Sequence, residues 1–568
     1  MRGRRREILV HAFPTDWSVL YHWSMRRRTP QTGARAVAPA HRPTAAAIVR
    51  RLDDGSLALV LTDTDAHLLD EAARSGGPLL VRVAAPVGIR AQTELARGLK
   101  TLGEGPVGDA TASLLLAVSL CTRSGGTDPR LALTAALAAA DAAWAAGDRP
   151  ACLTALGAAR LVLTGRPAGC EQLRDHLLGL RALIEQRPAD AVQALRRVLA
   201  HGHDDAPEAL HRASVAALLL GDVETACRTG LRALAAARSH GRDDLAAQTL
   251  EHLAYAEMRA GRHGRARAHA HEGLRAALRS ERANTAAHHR AVLALTASVE
   301  GDTDEVAAQA ALALSEAGRH GLEQTRTLAE WALARADLGR GRPDAAASRL
   351  GGLVRPGGGH FAVQPLIMPC FIEAAVLAGR PEEARPVVDA LREWTGFGID
   401  RAASARLARC RALLDPETAD VLYRCALDLH AADPGDYERA RTQLLYGNWL
   451  RRRRRPKEAR AVLREALHGF ERCGARAWAG QARAALRATG EPPAPDGAAA
   501  RGVLSSLTPH QLRIARHVAT GATNREVAQA LSVSVRTVDH HLRNIFTALG
   551  VRSRVEMARI VAEAADPR

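Results

Sequence analysis

Nine short interruptions divide the middle of the chain at nearly even intervals, and this period limits the fold more than any single motif. They begin at Gly147, Gln186, Gly221, Gly261, Gly301, Gly341, Gly379, Leu414 and Arg454, in steps of 39, 35, 40, 40, 40, 38, 35 and 40 residues. Most carry Gly-Asp, Gly-Arg or a proline, and five residues after each start stands a small or apolar side chain: Cys152, Ala191, Ala226, Ala266, Val306, Ala346, Ala384, Ala419 and Ala459. A period near 40 with one turn per repeat fits stacked helix pairs, because neither helix of a pair buries its apolar stripe without its neighbours. The glycine permits a left-handed C-cap on the first helix, and the acid or proline suits the first turn of the second.

The array runs from about residue 111 to 490. In architecture it resembles the TPR-like helical repeats, although its steps exceed the 34 residues of the strict motif. Aromatic residues make up only 3% of the chain, so alanine and leucine carry the apolar fraction of 47%, and both favour helix. A length of 568 residues exceeds what one hydrophobic core supports. Net charge is +17, almost wholly from arginine (Lys100 and Lys457 are the two lysines), and such an excess attracts polyanions, nucleic acid first. The run Arg451–Arg455 before Pro456 reads as a solvated turn between helices.

Several chemistries find no support. The eight cysteines stand at no C-x-x-C spacing and read as small buried hydrophobes in a reducing compartment. His269, His271, His288 and His289 have no neighbouring cysteine and no H-E-x-x-H pattern, so they read as surface histidines and no metal is expected. No Ser-His-Asp or Cys-His set can be nominated; the expectation is a protein that is not an enzyme and takes no cofactor. No apolar run reaches the length of a membrane span, and Ile8–Phe13 is too short and polar for a signal-peptide core. The expected location is the cytoplasm.

Three segments flank or follow the array. Residues 1–45 are arginine- and proline-rich with isolated aromatics (Phe13, Trp17, Tyr21, Trp23) and are expected to be poorly ordered. In 46–110, the apolar runs Leu57–Thr62 and Pro78–Ala84 enclose a helix-like Ala66–Ser75, a spacing that suits one βαβ unit. Residues 491–503, with three prolines and no apolar periodicity, read as a linker.

Residues 504–568 hold three capping boxes. Thr508-Pro-His-Gln511, Thr523-Asn-Arg-Glu526 and Ser553-Arg-Val-Glu556 each mark a helix start, and Ser534 caps a fourth helix that runs to about Leu549. In that helix Val538, Leu542, Ile545 and Leu549 form a buried stripe. The other face carries Arg536, Asp539, His540, Arg543 and Thr547. A short helix, a tight turn at Leu531–Val533 and a helix with a polar face make a helix-turn-helix, whose second helix reads base edges in the major groove.

The motifs Leu507-Thr-Pro-His-Gln511, Val518–Ala528, Leu531–Val538 and Asp539–Val551, with Arg552-Ser-Arg554, resemble the LuxR-type DNA-binding domain. That resemblance implies base contacts from Asp539, His540 and Arg543, and backbone contacts from Asn524, Arg525, Arg536 and Thr537. It also implies dimerisation through the last helix, with Val555, Ala558 and Ala562 on one side. Two departures stand out. The family often has Arg-Glu where this chain has His510-Gln511, and often lysine where Asp539 stands; an acid there would accept from a cytosine amine instead of contacting guanine.

The fold class expected is therefore mainly α: a TPR-like array followed by a four-helix LuxR-type domain, with a small α/β segment near the N-terminus. The long array resembles the large ATP-dependent LuxR regulators, as does Tyr437–Leu450. However, no G-x-x-x-x-G-K-[ST] occurs. Leu57–Asp65 looks like a Walker-B strand, which makes 46–110 a degenerate ATPase remnant or an unrelated strand. The expected function is a bacterial transcriptional regulator, an activator as many relatives are. It would bind double-stranded DNA as a homodimer, with RNA polymerase and a protein or small-molecule signal as further partners. Its alternatives are a helical-repeat scaffold whose C-terminal domain binds protein, and an ATP-regulated member with an unrecognised nucleotide site.

Overall fold

Turn chemistry builds the array. The computed structural model describes residues 18–21, 44–51, 57–61, 79–84, 87–123, 129–164, 170–201, 206–396, 401–430, 436–490 and 507–565, the last without 532, 550 and 552. The glycines at six of the interruptions, Gly147, Gly221, Gly261, Gly301, Gly341 and Gly379, have φ between +69° and +87°, the left-handed conformation that ends a helix and reverses the chain. Gln186 and Arg454 adopt it without glycine, at φ 57°. Asp148, Asp222 and Asp302 then cap the next helix, accepting from Ala151 N (2.9 Å), Thr225 N (3.1 Å) and Glu305 N (3.1 Å).

Turns also fall midway, at Gly241, Glu281 and Gly321, with φ of 65°, 57° and 70°. Each 40-residue repeat thus holds two turns, where the sequence reading placed one. The helices between them, Val223–Ser239, Asp243–Arg259, His263–Arg279, Ala283–Glu300, Thr303–His320 and Glu323–Gly339, are all 17 or 18 residues long. Each packs on the next. Small side chains bring them close: Pro129–Ala146 buries seven alanines. In three pairs a glycine faces a leucine sixteen positions on, Gly98 with Leu114, Gly179 with Leu195 and Gly447 with Leu463. A Cβ on each glycine would lie 2.5–2.7 Å from the leucine side chain. The array starts earlier than expected, since Val87–Glu104 and Val107–Arg123 form its first pair and residues 87–110 belong to it. Its last helix is Arg476–Arg487.

Repeats far apart in sequence also touch within the array. Asn284 Nδ2 donates to the carbonyls of Leu102 (2.8 Å) and Gly105 (2.9 Å). Val107 is buried with Ala287, Ala317 and Leu322. The glycine-rich segment 351–363 reaches back to the first repeats: His360 Nε2 donates to the Trp144 carbonyl at 2.7 Å, and Phe361 meets the Trp144 ring edge-on at 4.9 Å. Later, Arg476 Nε donates to the Glu300 carbonyl, and Gln481 Nε2 to those of Leu338 and Gly339.

Near the N-terminus, β1 (Ser18–Tyr21), β2 (Thr44–Arg51), β3 (Leu57–Leu61) and β4 (Leu79–Ala84) form one sheet in the order β1-β4-β2-β3. The two expected strands are present, but β2 lies between them. It pairs antiparallel with β3 (Ile48 opposite Val60) and parallel with β4 (Ala45 opposite Val81). β3 and β4 therefore run in opposite directions, whereas a βαβ unit needs them parallel; the βαβ reading is corrected to a mixed sheet. β1 also falls inside 1–45, the segment expected to be poorly ordered. The helix expected at Ala66–Ser75, the acids after β3 and the linker 491–503 lie outside the described residues.

Other expectations need adjusting. Cys121, Cys152, Cys227, Cys370 and Cys410 are buried, but Cys170 and Cys473 are half-buried and Cys425 is exposed. His288 and His289 are not surface residues. Both are buried, and His289 sits so close to Gly273 that a Cβ there would lie 2.1 Å from its ring. No helix among the described residues is long and apolar enough to cross a membrane. Contacts divide the chain into two units, Met1–Tyr446 with Arg464–Ala482, and Gly447–Leu463 with Arg483–Arg568.

Candidate nucleic-acid interface

Four helices make the C-terminal module: Pro509–Ala519, Asn524–Ala530, Val535–Leu549 and Arg554–Ala565. Two of the capping boxes close in both directions. Gln511 N donates to Thr508 Oγ1 (3.3 Å) while Thr508 N donates to Gln511 Oε1 (2.9 Å), and the Thr523–Glu526 pair repeats the pattern at 3.3 and 2.6 Å. These bonds from Thr523 hold the Glu526 carboxyl below its usual range. Ser534 Oγ accepts from Thr537 N at 3.0 Å, and Ser553 Oγ from Glu556 N at 3.1 Å. Gly521, at φ +92°, ends the first helix.

The apolar stripe of the third helix, Val538, Leu542, Ile545 and Leu549, is buried against Ile514, Ala515, Val518, Val527, Ala528 and Met557. Ile514 and Met557 are core residues that the sequence reading passed over. With the stripe buried, the opposite face is committed to solvent: Arg536, Asp539, His540, Arg543 and Thr547 are all exposed.

Asn524 makes two side-chain hydrogen bonds within the domain. Its Nδ2 donates to Asp539 Oδ1 at 2.5 Å, and its Oδ1 accepts from Arg554 Nη1 at 2.7 Å. Arg554 Nη2 also donates to the Ala522 carbonyl. One half-buried amide thus ties the second, third and fourth helices together and turns Asp539 toward the second. Arg525 and Arg536 are exposed, while Thr537 is half-buried beside Ser534. His540 Nε2 lies 3.2 Å from Asn544 Nδ2, and Arg543 lies along its own helix with Nε 3.5 Å from the Asp539 carbonyl. On the last helix Met557, Ile560 and Val561 are buried, Val555 is 78% exposed and Ala558 half-buried. Ala562 lies on the same helix, with its side chain outside the described residues.

A short helix, a tight turn and a polar-faced helix over a closed core match, over residues 505–561, the family described as bacterial regulatory proteins, luxR family. This segment is a LuxR-family helix-turn-helix domain. Over 505–561 the LuxR-type domain carries eight arginines against three acids, a balance suited to phosphate. Its relatives match over this domain. The nitrate/nitrite response regulator homolog of Haemophilus influenzae is 42% identical over 52 residues, 9% of this chain and 25% of that protein. The transcriptional regulatory protein ComA of Bacillus subtilis is 43% identical over 54 residues, 10% and 25% of the two chains. An HTH-type transcriptional regulator of Mycobacterium bovis is 39% identical over 62 residues, 11% of this chain but 7% of its own. The match therefore spans a quarter or less of each relative.

Solved structures similar to the helical part include a Rap protein complexed with Competence and Sporulation Factor, at 12% identity and TM-score 0.32, covering 70% of this chain and 97% of that one. The apo form of the quorum sensor NprR from B. thuringiensis gives 13% and 0.28, covering 68% and 100%. Scores this low leave the partner of the array unassigned.

Proposed function

We propose that the chain is a sequence-specific transcriptional regulator, an activator, that binds double-stranded DNA as a homodimer and receives a signal through its helical array. The observation that carries this is the exposed face of Val535–Leu549. Its polar groups stand over a fully apolar stripe, so they are free for base edges at no cost to the core. Arg543 and His540 supply donors, Asp539 supplies an acceptor that Asn524 holds in place, and Arg525 and Arg536 are placed to meet phosphates. Val555, exposed, and Ala558, half-buried, offer the surface for a second copy on an inverted-repeat site.

The test is selection of bound sequences from random duplex DNA by the full chain at fixed salt. Enrichment of an inverted repeat is expected. Arg543→Ala should then lose about 1–3 kcal/mol at one base position if that side chain contacts a base in bidentate fashion. Enrichment of nothing, with binding that merely fades with salt, would sink the proposal.

A further inference from the structure

The helical unit encloses a cavity of about 1520 Å³. Five alternate helices of the array place, among other ionisable groups, Asp141 on Pro129–Ala146, His176 on Glu171–Ile184, His211 on Pro207–Leu219, His252 on Asp243–Arg259 and His288 on Ala283–Glu300 on its wall. Four of the five are histidines. Burial lowers the pKa of His176, to about 3, and those of His211 and His288, so these rings are neutral at neutral pH. Three histidines have partners: His211 Nδ1 lies 3.1 Å from Thr249 Oγ1, His252 Nδ1 donates to the Gln248 carbonyl at 2.9 Å, and His288 Nε2 lies 3.2 Å from Glu251 Oε1.

Asp141 differs from the rest. Among the described residues its carboxylate has no hydrogen bond and no ion pair, in a chain with 78 Lys and Arg against 61 Asp and Glu. Six arginines also line the cavity, and three of them are engaged elsewhere: Arg212 donates to Gln172 Oε1, Arg259 to the Leu218 carbonyl and Arg326 to Glu323. Asp141 is exposed and lines the cavity; desolvation by the surrounding walls, partly offset by His252 and reinforced by Glu251, raises its carboxyl to about 6. Trp144, one turn along the same helix, and Tyr255, one turn past His252, line the same space.

We propose that this cavity binds an organic amine, whose ammonium group docks on Asp141 beside Trp144 and Tyr255 while the neutral histidines hydrogen-bond the remainder of the ligand. A partly desolvated carboxylate with no ion-pair partner gains from a cation that a ligand brings. Aromatic rings nearby favour the same charge, and neutral imidazoles do not repel it. An anionic ligand would instead face both Asp141 and Glu251. A metal ion is disfavoured, because no group of three or more His, Cys, Asp or Glu stands within ligating reach among the described residues. The volume exceeds the roughly 300–1,000 Å³ of ordinary small-molecule sites, which leaves room for a sizeable body beside the amine.

This deepens the sensor role proposed for the array, but it is read without DNA, so either reading can fail alone. The experiment is thermal unfolding and calorimetric titration of the full chain with phenethylamine and spermidine, against phenylethanol and phenylpropionate as controls. An amine should raise the melting temperature dose-dependently and the controls should not. Asp141→Asn should weaken amine binding at least tenfold, and Asp141→Glu should recover part of it. Because Asp141 has no protein partner, Asp141→Asn should fold. As an independent readout, amine affinity in the unaltered chain should fall as pH drops through about 6, where Asp141 is protonated while the amine keeps its charge. Stabilisation by phenylpropionate alone, equal amine binding by Asp141→Asn, pH-independent affinity, or no binding of either amine at millimolar concentration would each overturn the proposal.

Discussion

At the scale of single residues, the most informative side chains are those with two roles. The LuxR-type resemblance implies a DNA-backbone contact for Asn524. This residue also bridges Asp539 and Arg554 across three helices. Asn524→Ala would leave both charged groups without that partner, and breaking such a bond costs about 1–3 kcal/mol. Hydrogen exchange in the full chain should therefore speed up over residues 524–549 while the array is unchanged. Unaltered exchange there would mean the bridge contributes nothing. Gly273 shows the complementary case, a residue defined by what it lacks, since His289 occupies the place of any Cβ. Neither fact is readable from the chain, because each depends on a neighbour brought in by folding.

Elements are held by caps and by one long-range clasp. Thr523→Ala removes the N-cap of the shortest helix of the LuxR-type domain. It should cost about 0.5–2 kcal/mol and weaken DNA binding by loosening the turn before the reading helix, measurable by titration of the selected site. The clasp has a pH signature. His360 is fully buried, with Nε2 donating to the Trp144 carbonyl and Nδ1 accepting from Ala362 N, so it is held as the neutral ring. Burial lowers its pKa from 6.5 to about 4, an effect partly offset by that Trp144 bond and reinforced by His288 and Arg149. A lowered folded-state value means the contribution is present above about 6.5 and lost as pH falls toward 4. Melting temperature should drop over that interval, and His360→Gln should flatten the drop; an identical profile in the variant would exclude His360 as a cause. The helix-turn-helix and its stripe were legible in sequence because caps and 3.6-residue periodicity are local. The midway turns at Glu281 and Gly321 were not, since neither carries the Gly-Asp, Gly-Arg or proline signal that marked the others; the third, Gly241-Arg242, carries it but falls between the 40-residue steps.

For the whole molecule, closure of the array can be separated from turn strain. Gly301 and Gly341 both have positive φ, but a Cβ on Gly301 would lie 2.9 Å from Ala477 Cβ, whereas one on Gly341 meets nothing within 4 Å. Gly341→Ala should show only the left-handed backbone cost of about 1–2 kcal/mol. Gly301→Ala should cost more, because it also displaces the Arg476–Arg487 helix. Equal losses in melting temperature would mean that this contact does not stabilise the array.

The sequence by itself determined the helical content, the 40-residue repeat, and the LuxR-type domain with its inner and outer faces. All of these follow from side-chain spacing along a few turns of chain. Only the tertiary structure decided that the strands form a mixed sheet, that the array begins at Val87, that His288 and His289 are buried, and that Asp141 and four histidines share one cavity. The farthest of these cavity residues, Asp141 and His288, stand 147 positions apart. Such relations depend on the rotation accumulated from repeat to repeat, which no local pattern in the sequence encodes.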